Sequence, residues 1–174
     1  MSPTHLPYGA WPSPITAVRL VSGASGCNEV LTDGDDVWVA ESRPDEAGRT
    51  VLLRYREPVG SAAVEITAND VDVRTRVHEY GGGAWWVSDG LLVFSNDADQ
   101  RLWKLETSTV ASALALTPEP PTDRSLRYAD GRITPDGAHV VCVREEHTEH
   151  TGTSVLPTNT VSYTHLTLPT TPYV

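Results

Sequence analysis

An all-β fold of repeated four-stranded antiparallel units is what this sequence predicts, on three observations. Short β-branched and aromatic runs alternate with Gly, Pro, Asp and Asn along almost the whole chain. An Asp-Gly pair, a tight-turn signal because glycine accepts positive φ, stands just ahead of an apolar run at three places. Those places are 56 and then 47 residues apart, measured from Gly34 to Gly90 to Gly137.

The first unit reads as a strand at Asn28 to Leu31, the Asp33-Gly34 turn, and a second strand at Val37-Trp38-Val39. A third strand with arginine at its head follows, Arg49 to Tyr55, and a fourth ends in Ile66-Thr67-Ala68. The second unit repeats this order: Gly83 to Val87, Asp89-Gly90, Leu91 to Phe94, Arg101 to Leu105, and a strand ending in Leu116-Thr117-Pro118. Ser108 to Leu116 is the one stretch with a helical look, and Thr107, Thr109 and Val110 argue against it. The third unit has Leu126 to Ile133, Asp136-Gly137 and Val140 to Val143, and then stops.

Four antiparallel strands recurring every 40–50 residues are the mark of β-propeller blades. The expectation is therefore a partial β-propeller of about two and a half blades, at residues 20–70, 71–120 and 121–150, behind an N-terminal arm at 1–19. The alternative is a chance run of hairpins in a β-sandwich. A ring needs more blades than these, because each buries its faces on its neighbours. An open blade face and a free strand edge make the isolated chain an expected aggregator, insoluble or molten.

Residues 151–174 differ in kind. Eight threonines fall among 24 residues, with no acidic residue and no basic one apart from His165. The eleven residues Val161 to Thr171 resemble a translated sequencing-library adapter. The tail is therefore read as non-native or disordered and left out of the fold.

The formal charge of −10, from 23 acidic and 13 basic side chains, gives no basic face for a nucleic-acid partner. No run of about 20 apolar residues exists to span a membrane, and the first residues lack a secretory pattern, so the cytoplasm is the expected location. Cys27 and Cys142 are not in a C-x-x-C spacing and are expected to be free, mostly buried thiols.

The densest candidate site is Arg74 to Gly83. Read as an inner strand, alternation sets Arg74, Arg76, His78 and Tyr80 on one face and Thr75, Val77 and Glu79 on the other. Arginine holds a carboxylate bidentately and Glu79 offers a partner for a peptide amino terminus, so these five residues are the candidate substrate contacts. The plainer reading is a brace between blades, with the charges paired and Gly81-Gly82-Gly83 serving a bulge or a close backbone approach. Phosphate binding is not indicated, since no G-K-[ST] follows the glycines. Glu145, Glu146, His147, Glu149 and His150 read as a solvated loop; H-E-x-x-H is absent and no metal or other cofactor is expected. Four of the five tryptophans, Trp38, Trp85, Trp86 and Trp103, fall in expected strands and are assigned to packing.

Tyr8-Gly-Ala-Trp-Pro-Ser-Pro-Ile-Thr16 and Val73-Arg-Thr-Arg-Val-His-Glu-Tyr-Gly-Gly-Gly-Ala-Trp85 resemble segments of bacterial serine peptidases of the prolyl oligopeptidase family, in its dipeptidyl and acylaminoacyl peptidase branch. Phe94-Ser-Asn96, Asp99-Gln-Arg-Leu102, Leu126 to Gly131 and Val143 to His147 are similar to the same branch, in the same order. The resemblance implies a propeller that gates or docks short peptides in front of an α/β-hydrolase domain. It also gives Trp11 an expected role, clamping the arm onto that domain. The family's serine sits in a G-x-S-x-G elbow, and this chain has none: Gly23-Ala24-Ser25-Gly26 and Gly152-Thr153-Ser154 both fail the pattern. No catalytic residue carries over, so the parent is expected to be the enzyme and this chain to lack its triad. A stand-alone propeller binding module and a propeller hydrolase of the lactonase type are the competing functions.

Overall fold

The structure, a computed structural model, describes residues 5, 7–10, 12–56, 62–108, 112–147 and 162–167. These form three antiparallel sheets and almost no helix. The first sheet runs β1 (Gly26–Asp33), β2 (Asp36–Arg43), β3 (Arg49–Tyr55) and β4 (Val64–Glu65), each strand beside the next. The second repeats that order with β5 (Trp85–Ser88), β6 (Leu91–Ser95), β7 (Leu102–Glu106) and β8 (Leu114–Ala115). The third has β9 (Leu126–Ile133) and β10 (His139–Glu146), with β11 (Ser162–Thr167) on the far edge of β10. One short helix, Ala17–Val21, is capped by the Thr16 hydroxyl, which accepts from the Arg19 amide.

All three Asp-Gly pairs join the first two strands of a sheet, as expected. Ser88 pairs with Leu91, and the two residues between them, Asp89 and Gly90, both have positive φ, the type I′ pattern that follows strand twist. At the first turn only Gly34 is left-handed, the II′ pattern. The third hairpin is wider: Gly137 donates its amide to Thr134 O, and Thr134 donates to His139 O.

The fourth strands end earlier than the sequence indicates, for a reason repeated in both sheets. Ile66 donates its amide to Leu52 O while Leu52 donates to the Thr67 hydroxyl; Leu116 and Leu102 do the same with Thr117. A buried threonine hydroxyl replaces a carbonyl, so the regular ladder ends at Glu65 and Ala115 while the pairing continues.

Side-chain alternation stacks the sheets. Trp38, Ala40 and Leu52 of the first meet Trp85, Leu92 and Phe94 of the second in one buried cluster. Trp86, Val93 and Leu102 on the opposite face of the second meet Tyr128, Val140 and Cys142 of the third. Each fully buried aliphatic or phenyl side chain contributes about 1.5–3 kcal/mol. Trp103 packs half-buried beside the first cluster, and its indole donates to Asp99, so the four strand tryptophans do serve packing. Trp11 lies outside the described residues.

Two strands carry bulges. Asn28 is the extra residue of β1, between the Cys27–Glu41 and Glu29–Ala40 pairs. In β9, Asp130 and Gly131 oppose the single residue Cys142, with Asp130 left-handed. An Asp-Gly pair thus makes a bulge here and a turn elsewhere. Gly131 is obligatory, since a Cβ there falls 2.0 Å from Cζ2 of Trp86.

Three expectations need correction. Cys27 is exposed, on the edge strand beside its bulge; only Cys142 is buried, and burial pushes its thiol up to about 11. Arg74 to Tyr80 is not an inner strand. After a single bridge between Val73 and Asn96 the chain runs extended and then turns at residues 77–80. Residues 162–167, expected to take no part in the fold, pair with β10 from His139 opposite Thr167 to Arg144 opposite Ser162. Backbone groups make that pairing, as any extended segment can at a free strand edge.

Candidate functional site

The candidate residues lie on the connection between β4 and β5. Burial alternates as the sequence requires from Val73 to His78: Val73, Thr75 and Val77 point inward, while Arg74, Arg76 and His78 are more open. Alternation then fails, because His78 and Glu79 both adopt left-handed φ, +56° and +67°. Such a conformation costs about 1–2 kcal/mol per non-glycine residue. The turn is held by the Glu79 amide to Arg76 O, the Gly81 amide to Val77 O, and above all by Glu145.

Glu145 is 2% exposed, and both of its oxygens face the His78 amide, at 3.1 and 3.3 Å. Its Oε2 also lies 2.8 Å from His147 Nε2 and 3.9 Å from Arg127 Nη1. Arg127 in turn donates to Arg76 O at 2.7 Å and to Glu79 Oε1 at 2.8 Å, holding the Glu79 carboxyl below the usual carboxylate range. A hydrogen bond to a charged acceptor contributes about 1.5–3 kcal/mol, enough to offset the strained turn. The solvated acidic–histidine loop is therefore corrected: Glu145 is buried and His147 half-buried, because the connection before β5 covers them. Glu149 and His150 lie outside the described residues.

Arg76 pairs bidentately with Asp97, at 2.8 Å on both oxygens. The charges of Arg76 and Glu79 are thus already matched, as the brace reading requires. The His78 ring stacks on Tyr80, centroids 5.7 Å apart. Sequence reasoning missed Asp97, Arg127 and Glu145 as partners of Arg76, Glu79 and His78; nothing local marks them, since each lies at least 20 residues away from the candidate residue it meets.

Arg74 and Tyr80 stand apart from this clasp. They line a cleft of about 550 Å³ between the first sheet and the segment leading into β5, with Glu29, Ser42, Gly82 and Trp85 among the other walls. Tyr80 is 85% exposed. Burial raises the Glu29 carboxyl, against the Trp85 indole and the more distant Arg132, which lower it. Gly82 and Gly83 make a close approach to the third sheet: Gly83 donates its amide to Asp130 Oδ1 at 2.8 Å and accepts from the Asp130 amide at 2.9 Å. A Cβ on Gly83 falls 2.9 Å from that same oxygen, so a larger residue would have to displace the Asp130 carboxylate.

Among the described residues no group of three His, Cys, Asp or Glu side chains is placed to hold a metal ion. No helix among them is long and apolar enough to cross a membrane.

No protein-family model matches the chain, and no curated protein matches it either. Solved structures do. A puromycin-hydrolysing peptidase of Mycobacterium tuberculosis is 40% identical with a TM-score of 0.70, over 90% of this chain and 23% of that one. A puromycin hydrolase is 38% identical with a TM-score of 0.66, over 82% of this chain and 22% of its own. A mutant of a puromycin hydrolase, complexed with PGG, matches with the same identity and coverage at a TM-score of 0.67. The chain therefore spans less than a quarter of the length of the peptidases it matches. Over 82–90% of its length the chain is thus similar in sequence and fold to puromycin-hydrolysing peptidases, which are of the prolyl oligopeptidase family.

Proposed function

We propose that this chain is the front of a β-propeller in a cytoplasmic serine-type peptidase that hydrolyses short peptides and aminoacyl amides of the puromycin kind. The three sheets are consecutive blades, and the propeller docks or gates the substrate. Catalysis belongs to an α/β-hydrolase domain elsewhere in the parent, with a G-x-S-x-G serine followed by aspartate and histidine. The observation that carries this reading is the 38–40% identity to puromycin-hydrolysing peptidases across 82–90% of the chain. The face-to-face sheets, each opened by an Asp-Gly hairpin, support it.

The test is to express the full reading frame beside the 174-residue chain. The longer protein should release amine from puromycin and from aminoacyl anilides, and its serine should take a fluorophosphonate label. The short chain should do neither. A longer protein without peptidase activity, or a labelled short chain, overturns the proposal.

A further inference from the structure

Most charges beside the candidate site are matched: Arg76 by Asp97, Glu79 by Arg127, and Arg43 and Arg49 by Glu65. Two are not. Arg74 is exposed, and its guanidinium makes no hydrogen bond or ion pair among the described residues; Ser95 and Gln100 engage its backbone, and its charge acts on the Asp97 carboxyl only through space, Asp97 being already paired with Arg76. Glu29 is half-buried and likewise forms no ion pair there; its neighbours are the neutral Trp85 indole and, farther off, Arg132 and Asp130. Both residues line the same cleft, Glu29 from β1 and Arg74 from the connection before β5. Oppositely charged residues that line one space of about 550 Å³ and form no ion pair among the described residues leave an acceptor and a donor for something that brings both complements.

We propose that this cleft binds a short peptide as a zwitterion, its ammonium on Glu29 and its terminal carboxylate on Arg74. The planar guanidinium suits a carboxylate bidentately, and a carboxylate partly withdrawn from water gains most from an incoming cation. Tyr80 supplies an exposed aromatic wall for a side chain, and Gly82 leaves the floor open to the peptide backbone. The assignment moves amine recognition from Glu79, which Arg127 already occupies, to Glu29. It rests on the reading of the chain as part of a peptidase.

Binding is read on the protein expressed from the full reading frame, its nucleophilic serine replaced by alanine, by calorimetric titration with trialanine, N-acetyl-trialanine and trialanine amide. Free trialanine should bind with a Kd of about 1 mM. Blocking either end should weaken it about tenfold or more, as should Glu29→Gln or Arg74→Gln. No heat from free trialanine up to about 20 mM overturns the proposal, and so does equal binding of the blocked peptides, which needs no variant to fold. Failure here leaves the hydrolysis assay on the full reading frame untouched, so the two readings fall separately.

Discussion

Gly90 donates its amide to the Asp33 carboxylate at 2.7 Å, across the boundary between the first two sheets. The neighbouring Asp89 amide meets the other oxygen of the same carboxylate at 2.8 Å. The left-handed pair at 89–90 turns two successive N–H groups toward one anion, so one Asp-Gly hairpin clasps the next.

Asp33→Ala should cost about 1–2 kcal/mol, the worth of hydrogen bonds to a partly exposed charged acceptor. Asp33→Asn, which keeps one acceptor oxygen, should recover part of it. Urea midpoints of the protein expressed from the full reading frame, followed by tryptophan fluorescence, give the comparison. Equal midpoints for all three proteins contradict the clasp.

Gly131→Ala forces a methyl into the Trp86 ring, whose nearest atoms stand 2.0–2.3 Å from the added carbon. Overpacking of a buried rigid ring costs about 3 kcal/mol or more. The same substitution in a Trp86→Leu background should cost much less, because the offending atoms are gone. A double-mutant cycle with no coupling between the two positions refutes this contact.

The Arg76 guanidinium holds the Asp97 carboxyl below its ordinary range, against burial, which raises it. A carboxyl whose native pKa is depressed stabilises the fold fully above its unfolded value of about 4, and that contribution is lost as pH falls through the lower native value. Arg76 is partly exposed, so the effect is limited to about 1 kcal/mol. Arg76→Ala should lower stability at pH 7 and flatten its decline between about pH 5 and about pH 2. Parallel stability curves for the two proteins sink the assignment.

The turns of the three hairpins were legible because glycine at Gly34, Gly90 and Gly137 has a local cause, the positive φ of the turn itself. The strands around them were legible because period-two burial is written in neighbouring residues, as with Trp85 facing the first sheet and Trp86 the third. The inward set of Thr75 and Val77 was legible for the same reason.

Other features were decided only when distant segments met. Asp130-Gly131 carries the same two letters as the turns, yet it is a bulge, because the Trp86 ring lies over Gly131 and the Gly83 amide claims Asp130. Glu145 is a charge that the sequence alone sends to solvent; it is buried because His78, 67 residues earlier, brings an amide to it. The turn at His78 and Glu79 is strained on its own and exists because that contact and Arg127 repay it. The sequence by itself determined the hairpin strands of the three sheets and where they reverse, though not the turn that replaces a strand at 77–80 nor the pairing of 162–167, since backbone sterics and alternation act between neighbours. Only the tertiary structure decided which charges are buried, paired or left open in the cleft, because that depends on partners from separate sheets.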